Sequence, residues 1–270
     1  MPEIPDLEAI RGFLGSALPG RPVEAVETRL PWLIRSEQKL EGLVGHALGP
    51  VERRGKFLIV TVDDGRALVV NAMLTGRFQW SEAGVRRRPH YAVVLSLAGG
   101  HELRYMDARR MGRWYVVPGS ELDSIPQLAE LGPDALAVGE GEFIERLRRH
   151  RGQIKPTLTN QRFVAGIGNA YSDEILWEAR LHPHRRRATM DVEEQRRLHR
   201  AIGDVYRWAI PIVAREVAEG LNQSTREWRA HLRVHRRAGE PCPRCGHSVR
   251  GQSRGGSETN YCLTCQPLAL

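Results

Sequence analysis

The sequence predicts an α+β protein of three successive parts: a β domain headed by a helix, a helical domain, and a zinc-binding hairpin. Three observations carry this reading. Strand-like apolar runs fill the stretch from about Pro22 to Pro118, helical patterns follow to about Gly220, and all four cysteines fall in the final 29 of 270 residues. Hydrophobic residues make up 41% of the chain, enough for a sizeable core. Lys and Arg number 40 against 32 Asp and Glu, a formal charge of +8, which suits a polyanionic partner. No stretch approaches the ~18 uninterrupted apolar residues of a membrane span, and no basic segment followed by an apolar one opens the chain. A secreted or membrane protein is therefore not expected; the expected setting is cytoplasmic, with no membrane partner.

The elements follow in order. Leu7, Ile10, Leu14 and Ala17 recur at helical spacing, with Pro5 and Asp6 suited to a first turn. Phe57–Val62, then Asp63-Asp64-Gly65, then Ala67–Val70 reads as a β-hairpin, and Tyr91–Leu97, Ala98-Gly99-Gly100 and Leu103–Met106 as another. A segment rich in Pro, Gly and Asp from about Gly119 to Gly139 reads as a linker. Within the helical part, Gly166 and Gly168 are expected to make tight turns whose N–H groups, with Asn169, suit a phosphate; a plain loop between packed helices is the alternative.

The cysteines are spaced C-x2-C, 16 residues, C-x2-C: Cys242, Cys245, Cys262 and Cys265. Each close pair bites one metal from a tight turn, and the spacer accommodates a hairpin that joins the pairs. Four thiolates close a tetrahedral zinc site with no open position, so one structural Zn2+ is expected. Two disulfides are the alternative, disfavoured by the cytosolic setting.

The opening Met1-Pro2-Glu3 carries reactive potential. A small second residue permits removal of the initiator methionine, leaving Pro2 with a secondary amine. A terminal amine titrates at about 7.7–8.0, so far more of it is neutral at pH 7 than of a lysine. A neutral amine attacks an aldehyde-like carbon and forms an iminium ion, and Glu3 stands beside it as a general acid or base.

Three motifs together, the Pro2-Glu3 start, the run Val164-Ala165-Gly166-Ile167-Gly168-Asn169 and the terminal four-cysteine finger, resemble the formamidopyrimidine-DNA glycosylase/endonuclease VIII family. The resemblance covers nearly the whole chain, in the same order. It implies a catalytic β-sandwich (1–118), a linker (119–139), a helix–two-turns–helix DNA-binding domain (140–235) and a β-hairpin zinc finger (236–270). It implies a bifunctional DNA glycosylase and abasic-site lyase acting as a monomer on oxidised bases in double-stranded DNA. Pro2 is then the nucleophile and Glu3 the proton carrier. Arg53-Arg54-Gly55-Lys56 resembles the family's basic hairpin, which assigns Lys56 to the DNA backbone at the active site. Asn71–Gly76 and Asp107–Gly112 resemble the segments that fill the gap left by an everted base, with Leu74, Arg109 and Met111 as the inserted residues. Lys155 and Asn169 match backbone-phosphate ligands.

Three departures from the family pattern stand out. The finger arginine five residues before the third cysteine is Ser257 here; Arg254, three residues earlier on the same hairpin, is the candidate substitute, with a solvated hairpin residue as the alternative. Serine supplies no charge, which raises the alternative of a catalytically weak or inactive binder of damaged DNA. Asp6 replaces a longer acid in the opening motif. The stretch Gly220–Trp228 is more compact than the loop of members that grip 8-oxoguanine, which, with Leu74 and Met111 as inserted residues, leans towards the endonuclease VIII side or a divergent branch.

Overall fold

The computed structural model describes residues 1–87, 90–218, 220–221, 229–254 and 256–268. The chain forms two compact units: Met1–Ala129 with Ile210–Arg229, and Glu130–Ala209 with Ala230–Leu270.

The first unit is a helix and a two-layer β-sandwich. Helix α1 (Ile4–Ala17) starts at Glu3, whose backbone N–H donates to the Asp6 carboxylate at 2.8 Å, and Pro5 stands in its first turn, where no N–H is needed. Leu7, Ile10 and Leu14 form its buried face. Eight strands follow: β1 (Arg21–Thr28), β2 (Ala47–Arg54), β3 (Phe57–Val62), β4 (Arg66–Asn71), β5 (Gly76–Glu82), β6 (Tyr91–Leu97), β7 (His101–Asp107) and β8 (Arg113–Pro118). All pair antiparallel, in the order β5-β7-β6-β1-β2-β3-β4-β8. Strand β1 makes the corner. Arg21 and Pro22 pair with β2, a register shift falls between Val23 and Ala25, and the rest of the strand pairs with β6. A bulge there bends the strand from one layer into the other. Leu58, Val60, Leu68, Val70, Trp114 and Val116 from one layer meet Phe78, Val93, Leu95, Leu103 and Tyr105 from the other in one buried core. Each such side chain contributes about 1.5–3 kcal/mol by leaving water.

Both hairpins read from the sequence are present. β3 and β4 pair from Phe57↔Asn71 to Thr61↔Ala67, with Gly65 at φ +85° in the turn. β6 and β7 join through Gly99 and Gly100, at φ +88° and +71°. The segment 119–139 is more ordered than its composition suggests. A 3-10 helix (Gly119–Ser124) and a single α-helical turn, α2 (Pro126–Ala129), bury Ile125 and Leu128.

The second unit holds α3 (Glu140–Arg148), α4 (Ile154–Thr159), α5 (Asn169–Glu178) and the first part of α6 (Val192–Ala218). Its strands β9 (Arg250–Arg254) and β10 (Ser257–Tyr261) form an antiparallel hairpin. Two turns join α4 to α5. Gln161 staples them, its side chain accepting from Gly166 N–H at 2.9 Å and donating to the Ile167 and Thr159 carbonyls at 2.8 Å each. Gly166 takes the left-handed conformation, φ +103°; Gly168 is extended at the N-cap of α5, so its conformation demands no glycine.

Gly76 begins β5 against Tyr105. A methyl group there would overlap the Tyr105 hydroxyl and the Ala72 carbonyl oxygen, and the backbone oxygen cannot swing aside. Gly76→Ala should therefore lower stability by about 1–3 kcal/mol, read from the urea midpoint. An unchanged midpoint would contradict this packing.

Candidate active site and nucleic-acid interface

At the start of α1 several ionisable groups are withdrawn from water. Pro2 is buried, Glu3 is 2% exposed, Asp6 0% and Lys56 9%. The Arg229 guanidinium reaches them from the segment after α6, with Nη2 at 2.9 Å from Asp6 Oδ2 and Nη1 at 3.4 Å from Glu3 Oε1. The same Nη2 donates to the Met1 carbonyl at 2.8 Å. Burial pushes the Asp6 carboxyl up, and Arg229 opposes that rise. Burial likewise holds the Lys56 ammonium below the usual lysine range, against the pull of Glu3. The terminal amine of Met1 is lowered by burial first and by Arg229 second.

Lys56 owes its place to the β2–β3 turn. Gly55 sits at φ +56°, and the buried Arg53 side chain binds Glu8 of α1 at 2.6 Å and the Gly55 carbonyl at 2.9 Å. This ties the turn to the helix that carries Glu3. Pro2, Glu3 and Lys56, three positions singled out from sequence, are thus gathered around one buried point. Arg229 was not among the sequence candidates.

The proposed insertion residues sit on two loops organised by one carboxylate. Asp107, 2% exposed, accepts from Thr75 Oγ1 at 2.5 Å, from Arg109 N–H at 3.2 Å, from Met111 N–H at 2.7 Å and from Gly112 N–H at 2.6 Å. Arg109 N–H also donates to Thr75 Oγ1 at 3.0 Å, and Met73 and Arg110 hold positive φ. The wrap leaves Arg109 and Met111 exposed and Leu74 half-buried. An exposed methionine on a rigid loop has no core to fill and is available to a partner.

In the second unit, Lys155 and Asn169 turn towards the β10 strand. The Lys155 ammonium meets Asp173 Oδ1 at 2.5 Å, the Glu258 carbonyl at 2.9 Å and Thr259 Oγ1 at 3.0 Å, so each of its three protons has an acceptor. Asn169 donates to the Glu258 carbonyl at 2.9 Å and accepts from Ser257 Oγ at 2.9 Å. Asp173 also takes the His235 ring nitrogen at 2.7 Å and the Asn260 N–H at 3.1 Å. Beside it, Glu174 accepts the N–H groups of Arg233, Val234 and His235 at 2.9–3.0 Å. Two neighbouring acids of α5 thus hold both the chain entering the finger and the finger hairpin. Arg254 pairs through its backbone with Ser257, while its side chain and residues 222–228 lie outside the described residues.

The four cysteines converge, with Sγ atoms within 4.8 Å of one another. Cys242 and Cys265 stand 3.9 Å apart and Cys245 and Cys262 3.5 Å, near the ~3.8 Å edge of a tetrahedron with ~2.3 Å zinc–sulfur bonds and far from a disulfide. Burial pushes the Cys242 thiol up, but N–H groups including the Trp177 indole outweigh it and bring it to about 6. Burial and the neighbouring sulfurs push Cys265 up to about 12. A divalent cation resolves that conflict by making all four thiolates stable together. The finger therefore holds one structural zinc, closed to substrate. The protein should carry one zinc per chain by atomic absorption, and Cys242→Ala should lose it along with DNA affinity. Full zinc occupancy in that variant would contradict the site.

Comparisons with known proteins agree along the whole chain. Residues 1–114 match the formamidopyrimidine-DNA glycosylase N-terminal domain, 131–219 the H2TH domain of that protein, and 239–268 a zinc finger found in FPG and IleRS. The formamidopyrimidine-DNA glycosylase of Pelotomaculum thermopropionicum is 36% identical over 274 residues, covering 98% of this chain and 99% of the relative. That of Deinococcus radiodurans is 32% identical over 285 residues, covering 99% and 98%. The crystal structure of the Thermus thermophilus Fpg protein superposes with a TM-score of 0.86 at 32% identity, covering all of both chains. The Lactococcus lactis Fpg, in complex with DNA containing an abasic site, does so with a TM-score of 0.87 at 27% identity, covering 98% and 99%. These relatives carry the formamidopyrimidine-DNA glycosylase name. With three matched domains and relatives above 30% identity over nearly its full length, this chain belongs to the formamidopyrimidine-DNA glycosylase/endonuclease VIII family.

Proposed function

We propose that this protein is a bifunctional DNA glycosylase and abasic-site lyase that removes oxidised bases from double-stranded DNA. The observation that supports it most is the buried cluster around Pro2, where Glu3 and Asp6 are withdrawn from water beside Lys56 and Arg229. The domain scheme follows the sequence reading. Residues 1–118 carry the chemistry, 140–235 and 236–270 grip the duplex, and 119–139 joins them.

The reaction begins when a damaged nucleotide, cheaper to unstack than a normal one, leaves the duplex. Leu74, Arg109 and Met111 occupy the gap, the two apolar residues in place of lost stacking and the arginine against the estranged base. With Met1 removed, the Pro2 nitrogen lone pair attacks C1′ of the sugar. The bond from C1′ to the base breaks; the base leaves with the electron pair and takes a proton from water, while the Glu3 carboxylate takes the proton of the attacking amine. Glu3 then protonates the sugar ring oxygen as the C1′–O4′ bond opens, giving an iminium ion. The iminium acidifies the C2′ protons; Glu3, again a carboxylate, takes one, and the electron pair left behind expels the 3′ phosphate and cuts the strand. Lys56 binds the phosphate beside this centre. Lys155, Asn169 and Arg254 contact the backbone, Lys155 by exchanging one of its internal acceptors for a phosphate oxygen. Zinc supplies the fold of the finger and takes no part in these steps. The enzyme acts as a monomer in a bacterial-type cytoplasm; among the described residues no helix is long and apolar enough to cross a membrane.

One observation favours a second reading, a catalytically idle binder of damaged DNA. Ser257 holds the finger-arginine position and spends its hydroxyl on Asn169. A panel of duplexes with single defined lesions, followed by borohydride trapping on abasic DNA, separates the two. The first reading predicts base release and a covalent adduct. Pro2→Gly should reduce trapping, and Glu3→Gln base release, by roughly 100-fold or more with unchanged thermal unfolding. Tight binding to every duplex with neither base release nor an adduct would leave the second reading standing.

A further inference from the structure

The cluster at Pro2 includes a permanent cation to which the reaction above gives no task. Arg229 lies 226 positions from Glu3 in sequence, and its side chain is only 13% exposed. Its Nη2 donates to the Met1 carbonyl oxygen at 2.8 Å. That oxygen and the Pro2 nitrogen belong to one peptide group and lie ~2.3 Å apart, so the guanidinium stands within about 5 Å of the Pro2 nitrogen.

We propose that Arg229 is a positioning residue of the reaction, holding the Glu3 carboxylate in place and keeping the Pro2 nitrogen in its neutral, nucleophilic form. This rests on the reading of Pro2 as nucleophile. A fixed cation at that distance in a partly desolvated site opposes a second positive charge on the amine. Among the described residues, the charged groups that act on the Met1 amine, one peptide bond from the Pro2 nitrogen, are Arg229, Glu3, Asp6 and Lys56. Glu3 and Asp6 favour the protonated amine; Arg229 and Lys56 disfavour it. Burial drives Lys56 towards its neutral form, whereas a guanidinium keeps its charge at every working pH, so Arg229 is the dependable cation of the pair. The amine of Met1 already senses this setting, being lowered by burial first and by Arg229 next. Removing Met1 also removes the carbonyl that Arg229 Nη2 binds and leaves the guanidinium beside the new amine.

The geometry adds a second task. Nη1 faces Glu3 and Nη2 faces Asp6, at 3.4 Å and 2.9 Å, so one planar fork spans both acids. Among the described residues the other Asp6 oxygen, Oδ1, has no hydrogen-bond partner, so the buried carboxylate is held by that fork and by the Glu3 N–H. A lysine supplies the charge but cannot bridge two carboxylates with fixed geometry.

The test is the pH dependence of borohydride trapping on abasic DNA, with circular dichroism as a folding control. In Arg229→Gln the acidic limb should move up by about one pH unit, because the amine gains a proton more readily without the cation. Arg229→Lys should keep the wild-type midpoint while its plateau rate falls about tenfold, since charge is retained and the bridge is lost. A folded Arg229→Gln variant with the wild-type midpoint would overturn the role. Should Arg229→Gln fail to fold, Arg229→Lys decides alone: a midpoint raised by a full unit overturns it, and a retained midpoint with a lowered plateau supports it. A wild type that traps nothing at any pH removes the nucleophile and this proposal with it. A wild type that traps normally while the variants match it overturns only the part given to Arg229.

Discussion

Burying ionisable groups is the constraint around which the first unit is arranged. Removing one charged side chain from water carries a penalty of several kcal/mol unless partners offset it. At the head of α1 the chain withdraws Glu3, Asp6 and Lys56 and brings Arg229 to meet them. The offset demands fixed positions, and separate devices supply them. Asp6 caps the helix through the Glu3 N–H, Arg53 ties the β2–β3 turn to Glu8, and Arg229 joins both acids. A terminal nitrogen placed there meets low dielectric, a carboxylate and a cation at once, the combination that makes an amine reactive at neutral pH.

The second unit solves a related problem with a buried acid as the hub. Asp173 binds Lys155, the His235 ring and the Asn260 backbone, and neighbouring Glu174 takes three consecutive N–H groups at 233–235. Truncating one member of such a set strands the others, which is why α5, the entry to the finger and β10 behave as one piece. Zinc closes the far end of that piece, and the indole of Trp177 reaches Cys242 Sγ at 3.4 Å, so α5 touches the metal site as well. Ser257 fits this scheme as a neutral link, its hydroxyl donating to Asn169 Oδ1.

Much of this was legible in the sequence because the signals are local. Cysteine spacing announces the metal site, since ligand pairs three residues apart need no tertiary information. The Asp-Gly and Gly-Gly turns announce the two hairpins, and the spacing of Leu7, Ile10 and Leu14 announces α1. What stayed hidden is what depends on long-range approach. Arg229 lies in a stretch with no periodic pattern, and only folding brings it to Glu3. Lys155 is read as a phosphate ligand from the family resemblance, and nothing local announces its internal partners, Asp173 of α5 and, over a hundred residues away, Glu258 and Thr259 of β10. The layer switch in β1 depends on a one-residue register shift that no composition signals. Gly168, read as a tight turn, is extended, because the helix cap and not the turn decides its conformation.

The central claim is that the reactive group of this protein is the nitrogen of Pro2, set in the cluster of Glu3, Asp6, Lys56 and Arg229. Peptide mapping of the borohydride-reduced adduct with abasic DNA tests it most directly, because the reduction fixes the bond where it formed. Trypsin releases Pro2–Arg11 as one peptide. The account predicts the sugar remnant on that peptide, at its terminal nitrogen, with Met1 absent. A remnant on Lys56, marked by a missed cleavage after it, or an adduct on a chain that keeps Met1, would contradict the claim.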